Sequence, residues 1–116
     1  MSHAPVVPDL SALARIRGVR AVLLTSLDDA LTIASSSHVD VDVDALAAFA
    51  TALCRRAHQA AAVGALGAVR VVALEAAAGR LLAAARGRLL LVVLAERDTS
   101  PGMIRLALTR ALEGLA

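Results

Sequence analysis

Lysine is missing altogether, and all twelve basic residues are arginine. A phosphate-cradling P-loop needs a lysine on the phosphates, so that chemistry is excluded. Schiff-base catalysis and lysine general bases go with it. Tryptophan and tyrosine are absent too, and Phe49 is the one aromatic residue. No platform remains for stacking unpaired bases. Cys54 stands alone, so no intramolecular disulfide forms and an oxidising compartment is not implied. Met1 to Leu10 lacks a basic segment followed by an apolar run, the pattern of a secretory signal. Charges interrupt every apolar stretch before about eighteen residues, which argues against a spanning helix. These absences point to a cytoplasmic protein with no membrane insertion. The arginines are scattered among ten acids rather than gathered in a block, so no nucleic acid is expected as a partner.

What is present is a surplus of small and aliphatic side chains. The 116 residues make one domain, 59% hydrophobic, against roughly 45–50% in ordinary soluble domains. A domain of this size buries roughly two-thirds of its unfolded surface. An excess this large implies that some apolar surface covers a partner.

Residues 1–8 read as a leader without periodicity, and residues 9–116 as a single domain. Asp9 is placed to cap a short helix marked by Leu10, Leu13 and Ile16, which Gly18 ends. Two apolar runs, Ala21–Thr25 and Leu31–Ser35, flank Leu27-Asp28-Asp29-Ala30 and predict a hairpin. Asp42 or Asp44 then caps the longest helix, about Val43 to Val63, with Leu46, Phe49, Leu53, Ala57 and Ala60 as its buried stripe. Its remaining surface is poor in polar groups, so it should be covered on more than one side. Gly64 and Gly67 end it. Three strands follow, Val69–Ala76, Arg80–Ala85 and Arg88–Ala95, joined by short hairpin turns. Leu89 to Leu94 is apolar without alternation, as in a central strand covered on both faces. Val69–Glu75 mixes charge among its valines, as an edge strand does. Ser100 and Pro101 open a last helix, whose inner side carries Ile104, Leu108, Leu112 and Leu115. The order αββαβββα predicts an α+β fold: one five-stranded antiparallel sheet with helices on both faces.

Chemistry-bearing residues resist assembly into a site. Asp40, Asp42 and Asp44 imitate the start of a calcium loop, but Ala45 and Thr51 stand where glycine and glutamate are needed. Helix capping explains these aspartates better. Cys54 and His58 lie four apart on one helix, which is two ligands and not a set. His3 and His38 fall in loops. Ser35, Ser36 and Ser37 near His38 lack an orienting third group. Gly64-Ala65-Leu66-Gly67 follows a helix rather than a strand and lacks a third glycine. No catalytic residues, metal or cofactor are therefore expected. Arg55, Arg56 and Arg105 suit an acidic or phosphorylated partner, but solvation on a helix face is the commoner explanation for such arginines, and no arginine finger is expected.

Along nearly the whole chain the sequence resembles the Roadblock/dynein light chain family. The likeness runs through Ile16-Arg17-Gly18-Val19 with Ala21-Val22-Leu23-Leu24, then Thr32-Ile33-Ala34-Ser35-Ser36 and Leu46-Ala47-Ala48-Phe49-Ala50. It continues in Leu74-Glu75, Gly79-Arg80-Leu81-Leu82, Leu90 to Leu94 and Pro101-Gly102-Met103-Ile104-Arg105. One departure is the first hairpin, where Asp28-Asp29 replaces the family's usual Asp-Gly. The resemblance implies a Roadblock/profilin-like fold and a homodimer that pairs edge strands and crosses its long helices. In bacteria such dimers commonly partner a small Ras-like GTPase, so a non-catalytic regulator of that kind is expected. A light-chain-like scaffold without a GTPase is the alternative. On this reading Ala48, Thr51, Ala52, Arg55, Gln59, Val69, Val71 and Ala73 form the dimer interface, and Arg56 and Arg105 meet the partner.

Overall fold

The computed structural model describes residues 10–38 and 40–114. The leader 1–8, the Asp9 cap and Leu115 fall outside them. Strand β1 (Val19–Ser26) pairs with β2 (Thr32–Ser37), and helix α2 (Val43–Val63) follows the short α1 (Ser11–Ala14) and this hairpin. Strands β3 (Val71–Ala76), β4 (Gly79–Arg86) and β5 (Leu89–Ala95) precede helix α3 (Pro101–Glu113). One five-stranded sheet results, in the order β2-β1-β5-β4-β3, with every neighbouring pair antiparallel. The expected α+β architecture is the one found.

Strand alternation sorts the core into two layers. Val22 and Leu24 of β1, Leu82 of β4, and Leu91 and Val93 of β5 pack with Leu13 of α1 and with Ile104 and Leu108 of α3. Leu23, Leu81, Ala83, Leu90 and Val92 point the other way, onto Ala47, Ala50 and Cys54 of α2. Helix α2 therefore covers one face while α1 and α3 cover the other. Strand β5 sits in the middle of the sheet with both faces buried, which explains its unbroken apolar run.

Local signals set most boundaries. The Asp42 carboxylate accepts from the Ala45 N–H at 3.1 Å and starts α2. Ser100 caps α3 in the same way through Met103 N–H, with Pro101 in the first turn. Gly87, at φ +60°, opens the two-residue β4–β5 turn. Gly18 has φ +91°, and a Cβ there would run into the Thr99 side chain. Only glycine fits that close approach.

Three expectations need correction. Helix α1 spans four residues, with Leu10 at its cap position and no side-chain cap, so Ile16 lies beyond it. Strand β3 begins at Val71, leaving Val69 outside the ladder. The paired aspartates do sit in the β1–β2 turn, where Ala30, at φ 60°, is the left-handed residue. The buried stripe of α2 is Ala47, Ala50, Thr51, Cys54 and Ala61. Phe49 is instead 49% exposed, and Leu46 and Leu53 are half-buried on the helix's flank.

Candidate docking surface

Helix α2 turns its smallest side chains to its own sheet and keeps apolar ones outside. At 3.6 residues per turn, Ala45, Ala48, Ala52, Arg56, Gln59 and Val63 follow one another along the outer side, and all are exposed. Phe49 and Ala60 lie beside that row, also exposed. Val63 is 89% exposed and Leu66, just past the helix end, 80%. Over a helix of 21 residues, roughly 31 Å long, the outer side is therefore apolar toward both ends, with Arg56 and Gln59 between them.

The helix end is built to present these two residues. Leu66 N–H bonds the Ala61 carbonyl at 2.9 Å, and Ala65 N–H bonds that of Ala62 at 3.2 Å. This is a Schellman motif with Ala65, at φ 57°, in the position glycine usually takes. On the flank of α2 toward β3, Leu46 and Phe49 with Leu74, Ala78 and Leu94 line a shallow groove of about 290 Å³. Strand β3 completes the surface. It pairs only with β4, and its register runs unbroken from Val71 opposite Ala84 to Ala76 opposite Gly79. The other edge strand, β2, is broken by a register shift opposite Leu24 and Thr25. A bulge of that kind blunts an edge for further pairing, whereas a regular edge remains a template.

The residues expected at a dimer interface divide into three groups. Ala48, Ala52 and Gln59 are exposed on the outer side of α2, and Ala73 is exposed on β3. Val69 and Val71 are half-buried, Val71 against the α3-side core. Thr51 does not reach the surface: it is 1% exposed, and its hydroxyl donates to the Ala47 carbonyl at 2.8 Å. Backbone satisfaction of this kind lets a polar residue sit inside the helix–sheet contact. Arg55 is exposed, but its guanidinium donates to the carbonyls of Leu27 at 2.7 Å and Asp28 at 3.3 Å. It ties α2 to the β1–β2 turn, which Arg88 also holds through Asp28 at 3.3 Å.

Of the two arginines expected to meet a partner, Arg56 lies on α2 and Arg105 on α3. Both are exposed, and neither makes an ion pair among the described residues. They stand on opposite faces of the sheet and do not converge. The aspartate run is engaged locally: Asp40 pairs with Arg20 at 2.6 Å, and Asp42 is a helix cap. Cys54 is buried against the sheet while His58 is exposed. Burial pushes the Cys54 thiol above its usual range, so it stays protonated and unreactive. No three histidine, cysteine or acidic side chains gather as metal ligands among the described residues. No described helix is long and apolar enough to cross a membrane.

Sequence reasoning missed Phe49, Val63 and Leu66 as surface residues. The exposure of Leu66 had a local signal in the paired glycines, Gly64 and Gly67, that end the helix. For Phe49 there was none.

The chain is thus a three-layer sandwich with an exposed helix side beside a regular open edge. Among solved structures it is the fold of the Roadblock/LC7 domain. The Roadblock/LC7 domain from Streptomyces avermitilis superposes with a TM-score of 0.82 at 23% identity, over 90% of this chain and 89% of that one. MglB of Myxococcus xanthus gives 0.78 at 22% identity, over 88% and 84%. MglB in a tetrameric arrangement gives 0.79 at 21%, over 92% and 82%. No sequence-family model matches the chain, and no curated protein matches it in sequence. At these identities the likeness is one of fold.

Proposed function

We propose that this chain is a homodimeric, non-catalytic adaptor that binds a small Ras-like GTPase and biases its nucleotide cycle. The observation that carries the reading is the apolar outer side of α2 lying beside the unbroken β3 edge. A second copy, placed by a two-fold axis, would cover the helix with its own helix and extend the sheet through β3. Small residues at Ala45, Ala48 and Ala52 would let the two helices approach closely. Further support comes from the MglB structures, one of them a tetramer. The GTPase partner follows from the Roadblock resemblance. Its mechanism would be conformational: a rigid shared sheet binds one nucleotide state more tightly than the other and shifts the equilibrium by that difference.

The test is a titration against the small GTPases of the same organism, each loaded with GDP or with a GTP analogue. State-dependent binding to one of them is the expected result. Equal binding in both states would leave an adaptor without control of the switch. Binding to none would replace the regulator with the scaffold reading.

A further inference from the structure

The loop after α2 holds out a leucine on a constrained backbone. Leu66 stands between two left-handed residues, Ala65 at φ 57° and Gly67 at φ +82°. Alanine takes that conformation against its steric preference. The Leu66 N–H is fixed on the Ala61 carbonyl at 2.9 Å, and its Cγ would lie 3.6 Å from a Cβ at Gly64. The side chain is therefore braced against the helix end and still 80% exposed. Residues 64–68 carry no charge, so whatever meets this knuckle meets an apolar surface.

A matching hole lies at the other end of α2. Leu46 and Phe49 of the helix, with Leu74, Ala76 and Ala78 of the β3–β4 hairpin, line the groove of about 290 Å³. Leu74 and Leu81 back onto the α2-side core, so the groove opens on the face that carries α2. Its two arginines are already engaged, Arg20 with Asp40 at 2.6 Å and Arg80 with Glu75 at 2.9 Å. The rest of the lining is leucine, phenylalanine, alanine and glycine. Such a groove fits an uncharged apolar side chain rather than an ion or an acidic peptide. Its own chain does not fill it, because α2 separates Phe49 from Leu66 by roughly 25 Å.

Symmetry brings the knuckle and the groove together. A two-fold axis through the β3 edge sets β3 antiparallel to its copy, with the Val71 end of one beside the Ala76 end of the other. Leu66 stands five residues before Val71 and follows directly from α2, so it arrives on the α2 side of the sheet. The same axis reverses the helices. Val63 of one copy then comes over Ala45 of the other, about five turns back along the same outer row. We infer that Leu66 of each copy seats in the Leu46–Phe49–Leu74 groove of the other, a contact made twice per dimer. The inference rests on the two-fold dimer of the proposed function and adds the residue that selects the partner. A related chain with a charge at this position leaves the groove unfilled and pairs less tightly.

The test puts cysteines on both sides of the contact, Leu66→Cys together with Ala78→Cys, and treats the full chain with a short bismaleimide. The native Cys54 is buried, out of reach of the reagent. A covalent dimer is expected from the double variant and little from either single one, because the axis holds like positions apart. Leu66→Ser, at so exposed a site, leaves the protomer intact and should raise the dimer dissociation constant by about tenfold or more in sedimentation. A dimer that gives no cross-link in the double variant, that cross-links equally through Leu66→Cys alone, or that Leu66→Ser does not weaken would overturn the inference and leave the dimer itself standing. A natural chain that sediments as a monomer would overturn both.

Discussion

The two faces of the sheet are closed by different means. On one, α1 and α3 insert Leu13, Ile104 and Leu108 among Leu82, Leu91 and Val93. On the other, α2 contributes mostly alanines and a threonine, although it is the longest helix. Large side chains give α3 its hold within the protomer. Helix α2 meets the sheet through small ones and leaves Phe49, Val63 and Leu66 outside. Helix α3 buries Ile104 and Leu108 and leaves Met103 and Leu106 outside, whereas α2 fully buries none of its bulky side chains.

The sharpest way to break this contrast is to truncate one residue on each side. Ile104→Ala should destabilise by about 3–4 kcal/mol through a cavity, by the same amount at every protein concentration. Phe49→Ser should cost less in dilute solution and progressively more as concentration rises, since what it loses is association. Urea unfolding over a range of concentrations checks both; equal, concentration-independent losses would remove the distinction.

A smaller effect is expected where α2 does hold its own protomer. Arg55→Ala removes both carbonyl contacts to the β1–β2 turn and should cost about 1 kcal/mol. Amide exchange should quicken between Leu27 and Leu31 and hardly change in α3. The smallest is a gain. Ala65→Gly relieves a left-handed alanine and should stabilise by roughly 0.5–1 kcal/mol, read as a modest rise in melting temperature.

The order of elements was legible because punctuation is local. Gly18, Asp28-Asp29, Gly79, Gly87 and Ser100-Pro101 each mark a boundary close to where the structure has one. The rotation of α2 about its own axis was not legible. In a helix this rich in alanine several stripes satisfy helical spacing, and bulk drew the reading toward Leu46, Phe49 and Leu53. The helix instead meets the sheet through alanine, Thr51 and Cys54. Thr51 read as surface because its hydroxyl is polar, yet the Ala47 carbonyl satisfies it inside. The anchor from Arg55 to Leu27 joins residues 28 apart, a separation that no local pattern reveals. As for the surface itself, the surplus of apolar residues announced it, but its placement on α2 needed the fold.

Sedimentation velocity of the full chain and of Ala52→Glu tests the docking surface most directly. Ala52 is exposed on α2, so a carboxylate there leaves the protomer intact but sits unpaired in any tight helix contact. The account predicts a dimer for the natural chain and mostly monomer for the variant, with unchanged circular dichroism. A variant of undiminished mass would contradict it, and would show that the outer side of α2 is not where the copies meet.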